Sequence, residues 1–170
     1  MQEKQIKLDE SALRIGLGED SHRLAKGGPL RLGGIDVPHD YHTLGHSDAD
    51  VLLHAVTDAL LGAAGLADIG ELFPNTDPEN KDRDSAEMLQ LAYEQVVAAG
   101  LEIVNLDCVV NAQQPKLGPY KQAIRKRLSE ILSVNLDQVN LKSKTGEGVG
   151  PVGEQLVIQA RCVALLEKRN

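Results

Sequence analysis

The sequence predicts an α+β sandwich, with helices packed on one face of a mixed sheet. Three observations carry this. Runs with strand-like and helix-like periodicity alternate unevenly along the chain: strands, two helices, strand, helix, two strands. The length of 170 residues suits a single domain with a real core. That core must be built from Ala, Val, Leu and Ile, because the chain has one Phe, three Tyr and no Trp.

The first twelve residues are polar and mixed in charge, lack the apolar run of a secretion signal, and read as a flexible extension before a domain spanning 13–170. Leu13 to Gly18 reads as a short strand ending in glycine. Leu30 to Val37, with Gly33-Gly34 at its centre, reads as a hairpin of two short strands. A helix is expected from about Asp48 to Ala64, with Ser47 as its N-cap and Asp50 as an acidic capping-box partner. It is apolar on most sides and therefore buried. One polar stripe, Asp50, His54, Thr57 and Asp58, crosses it at helical spacing. Asp68 to Pro78 is rich in turn formers and reads as a loop, either a surface connection or a substrate-binding lid. Ser85 to Ala99 is an amphipathic helix capped by Ser85 and stopped by Gly100, with Met88, Leu89, Ala92, Val96 and Val97 inward.

Leu101 to Ala112 is a Val- and Ile-rich strand, followed by a loop to Pro119, which suits the first turn of the next helix. That helix turns Ile124, Leu128, Ile131 and Leu132 inward and shows Lys121, Arg125, Lys126 and Arg127 as a solvated basic face. Val139 to Lys144 is a strand. The glycine-rich turn Thr145 to Gly153 has neither the spacing of a P-loop nor a helix after it. Leu156 to Leu166 reads as a fully buried last strand. The sum is a ferredoxin-like sandwich.

A net charge of −7 gives no reason to expect a nucleic-acid partner. An acidic chain that handles an anionic substrate needs local positive charge from a metal, a lysine or a helix N-terminus. No run is long and apolar enough to span a membrane. Cys108 and Cys162 fit no metal spacing and no disulfide framework, and read as reduced, buried thiols of a cytoplasmic protein.

The chemistry-bearing residues form a short set. If Asp20 and His22 are extended, their side chains point the same way. With His54 they make two imidazoles and a carboxylate, a three-ligand zinc set that leaves one position open, as catalytic sites do. Such an ion polarises a phosphoryl oxygen or activates water. His46 stands just before the expected helix N-terminus, where free N–H groups favour a phosphate. Glu147, beside Lys142, Lys144 and Thr145, is either a ligand for Mg²⁺ bridging phosphates or an exposed turn carboxylate.

Several longer stretches stand in one order over one domain: Arg14 to His22, Gly45 to His54, Thr57 to Gly70, Leu72 to Pro78, Ala112 to Lys116 and Asn140 to Glu147. Together they resemble the 2-C-methyl-D-erythritol 2,4-cyclodiphosphate synthases of the non-mevalonate isoprenoid pathway, from about Leu13 to Leu166. The resemblance implies a phosphorus–oxygen lyase. The 2-phosphate of 4-diphosphocytidyl-2-C-methyl-D-erythritol 2-phosphate attacks the β-phosphate, CMP leaves, and a cyclic diphosphate forms. It implies zinc, or a similar divalent metal, at Asp20, His22 and His54, and Mg²⁺ or Mn²⁺ held by Glu147 and the diphosphate. His46 and Thr145 match the residues that stabilise the transition state.

Ser47, the run Asp68, Ile69 and Gly70, and the run Phe73, Pro74, Asn75, Thr76 and Asp77 match the methylerythritol and phosphate segments. Ala112, Gln113, Gln114, Pro115, Lys116, Leu117 and Gly118 match the cytidine pocket, and Lys144 adds a positive charge on that side. The assembly implied is a homotrimer with active sites between subunits. The match departs in the last loop. Pro151 and Glu154 replace an aromatic residue and an arginine that line an axial cavity able to hold an isoprenoid diphosphate, and without the arginine the anion loses its partner. Two other readings use the same residues: a zinc hydrolase releasing linear products, and a non-catalytic nucleotide-binding trimer with a structural metal.

Overall fold

A computed structural model describes residues 13–169 of the chain; the expected N-terminal extension, 1–12, lies outside the described residues. The main sheet has five strands in the order β4-β1-β7-β5-β6. These are β1 (Leu13–Lys26), β4 (Tyr41–Leu44), β5 (Leu101–Asn111), β6 (Val139–Lys144) and β7 (Val157–Lys168). All neighbours pair antiparallel except β5 and β6, which are parallel. The sheet is therefore mixed, as its sequence pattern predicts. A parallel pair needs a crossover, and α4 (Lys121–Leu132) lies within it. A separate hairpin pairs β2 (Leu30–Leu32) with β3 (Ile35–Val37). Its two-residue turn is Gly33-Gly34 with φ of 62° and 76°, which the twist of a tight hairpin demands. A Cβ on Gly33 would fall 2.4 Å from Ile124 Cγ2, so the hairpin also seats against α4 through this glycine.

α1 (Val51–Ala64) lies across the inner face of the sheet and is buried on most sides. Leu52, Leu53, Val56 and Leu60 are fully buried in one core with Leu89, Leu106, Leu128 and Ile158. The helix sits close to β1 because Gly16 and Gly18 face it. A Cβ there would lie 1.9 Å from Ala59 O and Ala55 O, respectively. α3 (Ser85–Ala98) covers the other side of α1, with Met88, Leu89, Ala92 and Val96 buried and Val97 half-buried. Cys108 and Cys162 are free, buried and adjacent across β5 and β7, as expected of reduced core thiols.

Several boundaries differ from the sequence expectation. β1 continues to Lys26 instead of ending at Gly18, because its glycines mark close packing, not a turn. α1 starts at Val51 and its N-cap is Asp50, not Ser47. The fully buried Asp50 carboxylate accepts from Leu52 N and Leu53 N and also from Gly33 N (2.9 Å) and Gly34 N (2.7 Å). It thus ties the hairpin to the helix, outside any stripe shared with His54. Thr57 is likewise turned away, its hydroxyl donating to Leu53 O at 2.8 Å. The 68–78 loop contains a single turn of helix, α2 (Ile69–Leu72), capped by Asp68. Asp84, not Ser85, caps α3, accepting from Ala86 N at 2.8 Å. Arg125 is not a free surface cation: its guanidinium donates to Val139 O (2.7 Å) and Leu136 O (3.1 Å). The glycine-rich turn does close on one helical turn, α5 (Gly150–Gly153). β7 is not buried on both faces; Arg161 and Val163 are exposed between buried neighbours.

Candidate active site

β1 and α1 build the centre of the site. Alternation along β1 sends Asp20 and His22 to the inner face, toward α1, on the side of Gly16 and Gly18. The close seating of α1 brings His54, on its first turn, over them. Asp20 Oδ2 lies 2.9 Å from both His22 Nε2 and His54 Nδ1. The two ring nitrogens are 3.2 Å apart. Three ligand atoms thus lie within 4.8 Å of one another, an arrangement able to hold a metal ion. Gly45 closes the site beside His22: a Cβ there would be 3.2 Å from His22 Cε1.

Electrostatics agrees with a cation site. Burial raises the Asp20 carboxyl, but hydrogen bonds from His22 and His54 overcome this and hold it well below the usual carboxylate range. Burial lowers His22, yet the hydrogen bond and charge of Asp20 outweigh it and raise the ring above its ordinary value. Two imidazole nitrogens aimed at one carboxylate oxygen repel unless a proton or a cation sits between them. The donor set fits a divalent ion with an affinity for imidazole.

A cavity of about 190 Å³ opens beside these ligands. Its lining takes in His22, His46, Ser47, His54, Ile69, Gly70, Phe73 and Asn75, so the structure brings together much of the set named from sequence. Asn80 and Met88 also line it and were not foreseen; Met88 reads from sequence only as an inward position of α3. His46 Nε2 is buried there with no hydrogen-bond partner among the described residues. At the α1 N-terminus, where the sequence places an anion, Asp50 takes the Leu52 and Leu53 N–H groups. Pro74, Thr76 and Asp77 are exposed; Asp77 caps the 3₁₀ turn Pro78–Asn80, and Arg83 stacks 5.1 Å from the Phe73 ring centroid. Asp58, from the polar stripe, holds the loop by accepting from Ile69 N at 2.8 Å.

The residues expected on the nucleotide side lie elsewhere. A second cavity, of about 280 Å³, is lined by Ala112, Pro115, Lys116, Leu117, Gly118, Lys144 and Thr145, with Pro119 and Ser143. Gln113 is not in its lining but holds the glycine-rich turn, its side-chain oxygen accepting from Gly146 N (3.2 Å). Gln114 is exposed. Glu147 is exposed on that turn and accepts from Thr145 Oγ1 at 2.6 Å. The two cavities share no lining residue. Glu147 is not among the clustered ligands at Asp20, His22 and His54.

A mixed sheet under one helical layer, with a two-histidine, one-carboxylate cluster between strand and helix, defines an α+β protein able to hold a metal beside a cavity. The chain belongs to the YgbB family, whose model matches residues 13–167. It is 56% identical over 143 residues to a Gemmatimonas aurantiaca protein named 2-C-methyl-D-erythritol 2,4-cyclodiphosphate synthase, covering 84% of this chain and 86% of the relative. A Rhodopirellula baltica protein of the same name is 54% identical over 158 residues, covering 93% and 95%. Among solved structures, a 2C-methyl-D-erythritol-2,4-cyclodiphosphate synthase in a CDP-bound form superposes with a TM-score of 0.84 at 44% identity, covering 91% of this chain and all of that one.

Proposed function

We propose that the chain converts 4-diphosphocytidyl-2-C-methyl-D-erythritol 2-phosphate to 2-C-methyl-D-erythritol 2,4-cyclodiphosphate and CMP. The observation that carries this is the convergence of Asp20, His22 and His54 beside the loop cavity, in a chain more than half identical to relatives named for that product. An oxygen of the 2-phosphate forms a bond to the β-phosphorus. The bond from that phosphorus to the bridging oxygen breaks, and CMP departs with the electron pair. Attack and departure occur within one substrate, so the protein needs no nucleophile of its own.

What remains for the chain is to fold the substrate back on itself and offset its charge. Ile69, Gly70, Phe73 and Asn75 shape the cavity that takes the methylerythritol phosphate, with Asp68, Pro74, Thr76 and Asp77 on the same segment. His46 offers a ring nitrogen without a protein partner to a phosphoryl oxygen, and Ser47 adds a hydroxyl. Ala112 to Gly118 and Lys144 hold the cytidine phosphate side, and the Thr145 hydroxyl meets the transferring group. Asp20, His22 and His54 would hold Zn²⁺, for which the mixed nitrogen and oxygen donors are suited, and Glu147 would hold Mg²⁺ or Mn²⁺. These ions supply positive charge to phosphoryl oxygens in a chain of net charge −7.

The assembly is a homotrimer, with each site built from the metal side of one subunit and the nucleotide side of the next. Two observations support this: the separate cavities, and the apolar row Leu13, Ile15, Leu17 and Val163 exposed on the outer sheet face. The two free, buried thiols suit a cytoplasmic location.

Incubation with the cytidine diphosphate substrate and Mg²⁺, followed by phosphorus NMR, tests the reading. Cyclic diphosphate and CMP are expected, and His54→Ala is expected to slow their formation by about a hundredfold or more. Linear phosphates in place of the cyclic product would instead establish a hydrolase.

A further inference from the structure

We infer that Ser85 and Asp48 are positioning residues for His54, fixing which of its ring nitrogens carries the proton and so presenting the other to the metal. The inference rests on reading Asp20, His22 and His54 as a metal centre. His54 meets that cluster through Nδ1. Its other nitrogen, Nε2, points away to two hydroxyls, 2.8 Å from Ser85 Oγ and 3.1 Å from Ser47 Oγ. A neutral imidazole has one N–H, and geometry at His54 alone leaves its position open. The next link settles it. The Ser85 hydroxyl donates its proton to Asp48 Oδ1 in a short hydrogen bond. Ser85 Oγ therefore has only lone pairs to offer His54, and Nε2 must be the donor. Nδ1, which faces Asp20 Oδ2 at 2.9 Å, is thereby the nitrogen to be bared for a divalent ion, the form that such an ion requires.

The relay is held in place beyond Asp48. Arg31 Nε lies 3.7 Å from Asp48 Oδ2, and Asp50 N donates to Asp48 Oδ1 at 3.3 Å. Ser85 is fully buried, so water has no access to replace its oxygen. Neither side chain is needed as a helix cap: Asp84 caps α3 and Asp50 caps α1. The contact with the metal ligand is what remains for the Ser85 hydroxyl to do. Sequence reading missed it because Asp48, His54 and Ser85 come from a loop and two helices, Ser85 standing 37 positions after Asp48.

Ser85→Ala removes the acceptor while keeping a good helix former behind an intact cap. Two measurements read the effect: the His54 tautomer in the metal-free protein, by ¹⁵N-edited NMR, and Zn²⁺ affinity, by competition with a chromophoric chelator. The wild-type ring is expected to keep a proton on Nε2. Ser85→Ala is expected to move the Nε2 proton in part to Nδ1, where Asp20 accepts it, and to weaken Zn²⁺ binding about tenfold or more, with the metal-free melting midpoint retained. Asp48→Asn leaves a neutral oxygen for the Ser85 hydroxyl and gives a smaller loss in the same direction. A Ser85→Ala protein with the wild-type tautomer and wild-type affinity overturns the inference. So does one that melts earlier yet binds Zn²⁺ as tightly as wild type when folded, since that is a structural role only. A wild-type protein that fails to bind Zn²⁺ overturns the metal-centre reading instead, and the tautomer measurement still judges the Ser85 contact.

Discussion

Asp58 lies one turn beyond His54 on α1 and is half-buried, with Ile69 N donating to its Oδ1. Burial is the largest influence on this carboxyl and raises it above its ordinary value, despite the opposing Ile69 hydrogen bond. A carboxyl raised in the folded state favours folding when protonated. Its contribution is complete below the unfolded value near 3.8 and is lost as pH rises through the raised folded value. Asp58→Asn removes that dependence and keeps an oxygen for Ile69. The urea midpoint of the variant, taken relative to wild type, is therefore expected to rise between about pH 4 and about pH 7; a constant difference would refute the account. At this scale the ligands were legible. Strict alternation pairs Asp20 with His22, and a lone imidazole among aliphatic side chains marks His54. Asp50 was misplaced because helical periodicity does not say where a helix begins, and its partners Gly33 and Gly34 stand 17 and 16 residues away.

The contact between β1 and α1 sets the metal geometry at the level of whole elements. Gly16 and Gly18 let the helix approach until Ala55 and Ala59 nearly touch the strand backbone. Reading Gly18 as a strand end missed this, since a glycine within a strand also marks a close approach. The polar run after Gly18 hid the rest of β1, whose inner residues line a site instead of the apolar core. Gly18→Ala is expected to cost about 3 kcal/mol, because its methyl meets backbone oxygen that cannot rotate away. It should also weaken Zn²⁺ binding by lifting His54 from Asp20 and His22. Gly62 is the internal control. It lies in the same helix with nothing within 4 Å of a Cβ, so Gly62→Ala should raise stability by about 0.5–1 kcal/mol and leave metal affinity unchanged. Chemical denaturation and metal titration of both variants separate the two effects. The order and type of the longer elements were legible because each pattern is long and regular; the four-residue β4 and short turns such as α2 and α5, with too few residues to show a period, were not.

At the scale of the whole molecule, the described residues leave one sheet face bare. Ile15 is 73% exposed and Leu17 66%, on the face opposite the helices. The pattern of β7 was read as buried on both faces, and the described residues bury only one. Sequence periodicity records that a position is apolar and is silent on whether its cover comes from the same chain. The separation of the two cavities has a genetic meaning on the trimeric reading proposed above. A subunit damaged at His54 still carries an intact Glu147 turn, and a subunit damaged at Glu147 still carries intact ligands. Each variant alone should be inactive. Unfolded together and reassembled at equal amounts, they should regain about a quarter of the wild-type sites, those where each neighbour contributes its sound half. Two dead alleles would then complement one another, and a mixture that stays inactive would place both halves of the site within one chain.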